Sequence, residues 1–127
     1  MKTLYFIDDE KEIHTLFDFF LAPIVEEGKL SVKNFHSVEE YESFQNEVNW
    51  TPVDMIVTDV NMPGKNGMDL VEETIKHVPD ARIFVLTAYN AKEMQKKAMD
   101  LGASGFYSKP IRMQEFKDTL LAELGIS

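Results

Sequence analysis

Short apolar runs alternate with amphipathic stretches along the whole chain. Leu4-Tyr5-Phe6-Ile7, Met55-Ile56-Val57-Thr58 and Ile83-Phe84-Val85-Leu86 are nearly continuous, the pattern of strands covered on both faces of a parallel sheet. Residues 29–35 alternate instead, with Leu30 and Val32 apolar and Ser31 and Lys33 polar, which predicts a half-buried strand. Ser104-Gly105-Phe106-Tyr107-Ser108 is a fifth strand candidate. Between these runs apolar residues recur at helical spacing. Ile13, Leu16, Phe17, Phe20 and Leu21 predict a helix over 10–22, which Pro23 is expected to end or kink. Ser37 with Glu40 reads as a capping box ahead of Val38, Tyr41, Phe44 and Val48. Leu70, Val71, Ile75 and Val78 predict a helix over 67–78. Met94, Ala98 and Leu101 predict one over 91–101, stopped by Gly102. Met113, Phe116, Leu120 and Leu124 predict the last, with Pro110 in its first turn.

The order of elements is therefore (βα)₅. It implies an α/β three-layer sandwich, a parallel five-stranded sheet with helices on both faces. Five strands joined by right-handed crossovers fit the flavodoxin-like strand order 2-1-3-4-5, in one domain over residues 1–127. Sheets of this kind bind ligands beyond the carboxyl ends of their strands, where the winding reverses between the first and third strands. Those two strands end at Asp8-Asp9 and at Asp59. The fourth ends at Thr87 and the fifth at Lys109-Pro110. The pattern thus predicts an acidic pocket with one hydroxyl and one ammonium nearby.

Composition narrows the chemistry. The 127 residues carry 13 basic and 22 acidic side chains, a net charge of −9. That balance disfavours direct nucleic-acid binding, which needs a basic surface, and favours cationic partners. There is no cysteine, so a thiolate metal site and a disulfide framework are both excluded. No apolar stretch approaches the ~20 residues of a membrane span, and no secretory leader is visible. A cytoplasmic location without membrane attachment is expected.

Three carboxylates from two strand ends repel one another unless a cation joins them. A hard dication with oxygen ligands is the simple remedy, and Mg²⁺ would take carboxylates, a backbone carbonyl and several waters. Beside it Asp59 can act as a nucleophile and form an acyl phosphate. Lys109 would place a second positive charge opposite, and the Thr87 hydroxyl can donate to a phosphoryl oxygen, with small Ala88 leaving room.

Asp8-Asp9, Asp59 followed by Met62-Pro63-Gly64 and Gly67, Thr87-Ala88 and Lys109-Pro110 together make the chain resemble the receiver domain of two-component response regulators, in order and over its full length. The resemblance implies that Asp59 accepts a phosphoryl group from the phosphohistidine of a sensor histidine kinase or a phosphotransfer protein. It implies Mg²⁺ held by Asp9, Asp59 and the main-chain carbonyl of Asn61, with Asp8 acting through metal-bound water. Thr87 and Lys109 would contact the phosphoryl group. Phe106 falls at the family's switch aromatic, and Tyr89 at a position that tunes phosphoryl lifetime, where its bulk would shield the acyl phosphate from water. The readout surface would comprise the helix at 91–101, the strand at 104–108 and the helix that follows. Gln95, Lys96, Tyr107 and Gln114 are its expected exposed members. The expected recipient is a downstream protein or a fused output domain, and a phosphorylation-dependent homodimer is a further expectation. The chain would be a stand-alone receiver or the receiver of a longer protein, with no enzymatic activity beyond self-catalysed phosphoryl acceptance and slow self-dephosphorylation.

The alternatives are a Mg²⁺-dependent phosphohydrolase with an aspartate nucleophile, an FMN-binding flavodoxin, and a degenerate receiver that serves only as a protein-binding module. The hydrolase wants a second aspartate two residues after the first, where this chain has Asn61. Acids in the first loop would repel a flavin phosphate. His14, His36 and His77 show no ligand spacing and read as surface or boundary residues.

Overall fold

The computed structural model describes residues 1–88 and 91–126. Ten elements alternate: β1 (Lys2–Ile7), α1 (Lys11–Glu26), β2 (Leu30–Phe35), α2 (Val38–Glu47), β3 (Met55–Asp59), α3 (Gly67–His77), β4 (Ile83–Ala88), α4 (Lys92–Asp100), β5 (Gly105–Lys109) and α5 (Met113–Leu124). The strands form one sheet in the order β2-β1-β3-β4-β5, and every neighbouring pair is parallel. The expected flavodoxin-like topology is the one observed.

Strand periodicity sorts the core into two layers. On β1, Leu4 and Phe6 pack under α1 and α5 with Phe17, Leu21, Phe116 and Leu120, all buried. Tyr5 and Ile7 point to the other face, with Tyr41, Leu70, Val71 and Ala98 from α2, α3 and α4. The same alternation runs along β4, where Phe84 and Leu86 join the first layer and Ile83 and Val85 the second. Both layers are apolar because both faces of the sheet carry helices.

Local chemistry departs from expectation at three places. Helix α1 does not end at Pro23 but continues to Glu26. Pro23 costs one backbone bond in the last turn, yet its own carbonyl still accepts from the Glu27 N–H at 3.1 Å, and Ile24 beyond it packs on the core. Pro110 is not in the first turn of α5, whose cap is Arg112; it follows Lys109 through a cis peptide bond. The capping box of α2 is half made. Ser37 accepts from the Glu40 N–H at 3.0 Å, but the Glu40 carboxylate accepts from the His36 N–H at 3.3 Å.

Candidate functional site

Register brings the strand ends together. Ile7 lies opposite Thr58, Asp59 opposite Leu86, and Ala88 opposite Lys109. The residues that close β1, β3, β4 and β5 therefore share one edge of the sheet. One carboxylate oxygen from each of Asp8, Asp9 and Asp59 lies within 4.8 Å of the others. Asp8 and Asp59 are buried and Asp9 is exposed.

The two buried acids are held by their neighbours. Asp8 Oδ1 accepts from the Glu10 N–H at 2.9 Å, a turn that aspartate makes readily after a strand. Among the described residues, Asp8 Oδ2 is buried with no hydrogen-bond partner. Burial pushes the Asp8 carboxyl up to about 6, the Glu10 N–H pulls it back, and the Asp59 charge raises it further. An orphaned carboxylate oxygen beside two more carboxylates is a donor set that suits a hard dication, so the residues present fit Mg²⁺.

Asp59 Oδ1 meets Lys109 Nζ at 3.0 Å, and the acid's side chain is almost wholly buried in the pair. Behind it, α3 begins against the backbone. A Cβ on Gly67 would lie 2.4 Å from the Asp59 carbonyl oxygen, so only glycine lets α3 start this close. Asn66 caps that helix, accepting from the Met68 and Asp69 N–H groups at 2.9 and 3.1 Å. The preceding turn is pinned to α2, since Lys65 Nζ reaches Glu42 Oε1 at 2.8 Å and the Lys65 N–H donates to Glu39. Asn61 lies exposed on this loop.

Thr87 is buried at the end of β4, and its hydroxyl accepts from Gln95 Nε2 at 3.2 Å. Phe106 is 41% exposed, its ring turned out from β5. Tyr89 lies outside the described residues.

Two residues expected at the readout surface sit differently. Tyr107 is half-buried, its ring packed against Phe84 and Phe116 at 5.7 and 4.8 Å between centroids. Gln95 is half-buried, with its amide turned to Thr87. Lys96 and Gln114 are exposed.

His14 is the main correction among the histidines. It is buried rather than at the surface, with Nε2 donating to the Asp8 carbonyl and Nδ1 facing Asn34 Oδ1, both at 2.7 Å. Its ring lies 4.8 Å from Phe6. A signal for it was available, because His14, Phe17 and Leu21 share one helical face. Nothing in the sequence marked Gln95, eight residues past Thr87, as its partner.

The family model for the response regulator receiver domain matches residues 4–121. The photosynthetic apparatus regulatory protein RegA of Cereibacter sphaeroides is 30% identical over 96% of this chain and 62% of its own length. The response regulator protein PilR of Pseudomonas aeruginosa is 25% identical over 93% of this chain and 25% of its own length. This chain thus spans less than two thirds of these curated relatives. A crystal structure of a response regulator receiver domain protein from Clostridium thermocellum aligns with a TM-score of 0.82 at 26% identity, covering 98% of this chain and 95% of that one.

Proposed function

This chain belongs to the response regulator receiver domain family, and on that premise we propose that it is a phosphoacceptor of a two-component phosphorelay, with Asp59 as the acceptor. The reading is carried by one observation: Asp8, Asp9 and Asp59 converge at the sheet edge while Lys109 Nζ sits 3.0 Å from Asp59 Oδ1. In the proposed reaction an Asp59 carboxylate oxygen attacks the phosphorus of a partner's phosphohistidine. The new P–O bond forms as the P–N bond breaks, and the released imidazole takes up a proton. Asp8, Asp9, Asp59 and the main-chain carbonyl of Asn61 would hold Mg²⁺, which when bound supplies positive charge against the phosphoryl oxygens.

The chain's own groups do the rest. Burial of Asp59 keeps water from its backbone side, and the close start of α3 at Gly67 fixes that backbone. Lys109 already neutralises the Asp59 carboxylate and would follow the charge onto a phosphoryl oxygen. The Thr87 hydroxyl would donate to another. Phosphorylation adds roughly −1.5 to −2 charges and three strong acceptors, a local change large enough to bias a two-state element. Phe106 stands outside the core, and space opened by a shift of Thr87 would admit its ring. The altered face would be α4, β5 and α5, read by a downstream protein, a fused output domain or a second copy.

The test is incubation with Mg²⁺ and acetyl phosphate, read by intact mass. One added phosphoryl group is expected on the chain and none on Asp59→Asn. Steady hydrolysis of phosphodonors without a retained adduct would overturn the reading.

A further inference from the structure

Among the described residues, one side-chain hydrogen bond joins helix α4 to the sheet edge near the start of the helix. Gln95 lies in the helix's first turn and donates its Nε2–H to Thr87 Oγ1 at 3.2 Å. That turn has no side-chain cap at Ala91, and the helix's buried core residue, Ala98, comes later. Lys92, Glu93 and Lys96 around Gln95 are exposed. In the first turn of α4, Met94 packs on the core, and among the described residues Gln95 is that turn's polar side-chain tie to β4.

The far end of that tie is the hydroxyl next along the strand from Leu86, which faces Asp59 in the register. A hydroxyl has one hydrogen and two lone pairs. Its hydrogen is free to turn to a new acceptor at Asp59 while the oxygen still accepts from Gln95, so the two bonds would compete only as the hydroxyl shifts toward Asp59 and away from α4. We infer that Gln95 is a positioning residue that tethers Thr87 to α4 while Asp59 is unmodified, so that a shift of the hydroxyl toward loaded Asp59 loosens the bond and frees the first turn of α4. The inference rests on the phosphoacceptor reading and adds to it the residue that opposes the switch. It also links the outward ring of Phe106 to the same hydroxyl, since both belong to the state in which Thr87 is held by α4.

A tether makes a signed prediction. Gln95→Met keeps length and bulk but removes the donor, so Thr87 should move more freely toward a phosphoryl mimic. Beryllofluoride with Mg²⁺ is the probe, and calorimetric affinity is the readout, in four chains: wild type, Gln95→Met, Thr87→Val and the double variant. Loss of one neutral hydrogen bond should tighten binding about three- to tenfold in the Thr87 background. In the Thr87→Val background, where there is no hydroxyl to hold, the same substitution should change it by less than about twofold. A general packing role for Gln95 would move both backgrounds alike. Equal shifts in both, no shift in either, or weaker binding by Gln95→Met would each overturn the inference while leaving beryllofluoride uptake intact. Failure of the wild-type chain to take up beryllofluoride would overturn the phosphoacceptor reading, and the inference with it. Circular dichroism checks the fold of each variant; should Gln95→Met not fold, Gln95→Ala carries the same signs.

Discussion

The two halves of the carboxyl edge of the sheet are built on opposite principles. At β1 and β3 the polar groups Asp8 and Asp59 are buried and fixed from several sides. Asp8 is held by Glu10, its carbonyl by His14, and Asp59 by Lys109 with α3 pressed against its backbone. At β4 and β5, apart from Lys109 in its pair with Asp59, the groups are few and lightly held. Thr87 has its 3.2 Å bond from Gln95, β5 has no fully buried residue, and Phe106 stands 41% exposed. A site that receives charge gains from rigidity, since fixed dipoles and ions cost no reorganisation when the charge arrives. An element that reports the charge gains from a small gap between two arrangements, since a local contact can shift only so small a gap. On the proposed phosphoacceptor reading, the contrast would put reception on one half of the edge and response on the other.

Removing His14 should do the most damage to the fixed half. His14→Leu leaves the Asp8 carbonyl in the core without its donor, and a buried unpaired acceptor costs about 1–3 kcal/mol. Urea unfolding should show a loss in that range, and an unchanged midpoint would mean that the His14 contact does not hold this corner.

Acidity probes the same half more gently. The folded-state value of Asp8 is raised to about 6, above its value of 3.8 when unfolded. Between these values the folded state binds more protons than the unfolded one, so stability falls as pH rises from about 4 to about 6. With a chelator present this contribution should cost on the order of 1–2 kcal/mol, discounted from the full shift for screening by solvent. The measurement is urea unfolding across that window against Asp8→Asn, which should lack the slope. A wild-type slope equal to that of Asp8→Asn would show that the raised carboxyl does not set it.

Phe106 tests the other half and should cost the least. Fully buried phenylalanines lose about 3–5 kcal/mol on truncation, but a ring this exposed should lose less than about 1 kcal/mol in Phe106→Ala. Uptake of phosphate from acetyl phosphate should persist in this variant, while binding of a phosphorylation-dependent partner is lost. A large loss of stability would remove the distinction between the two halves.

Much of this was legible before any coordinates. Apolar runs and helical spacing mark all five βα units, and the acids at the ends of β1 and β3 predict the pocket because topology alone puts those ends side by side. Pro23 did not end α1 because propensity is local, whereas the packing of Ile24 on the core is not. His14 departs from expectation for a related reason. Histidine is usually a surface residue, and its two oxygen partners lie on a different turn and a different strand.

The amino-acid order by itself determined the element sequence, the parallel sheet and the convergence of Asp8, Asp9, Asp59, Thr87 and Lys109 on one edge. These follow from period, chirality and the residues at strand ends, all of which are local or topological. Only the tertiary structure decided which oxygen of Asp8 is left without a partner, that His14 props the same loop from below, that Tyr107 is tucked in while Phe106 is out, and that Gln95 reaches Thr87. Those outcomes depend on side-chain rotamers and on distances between elements, which a one-dimensional pattern does not specify.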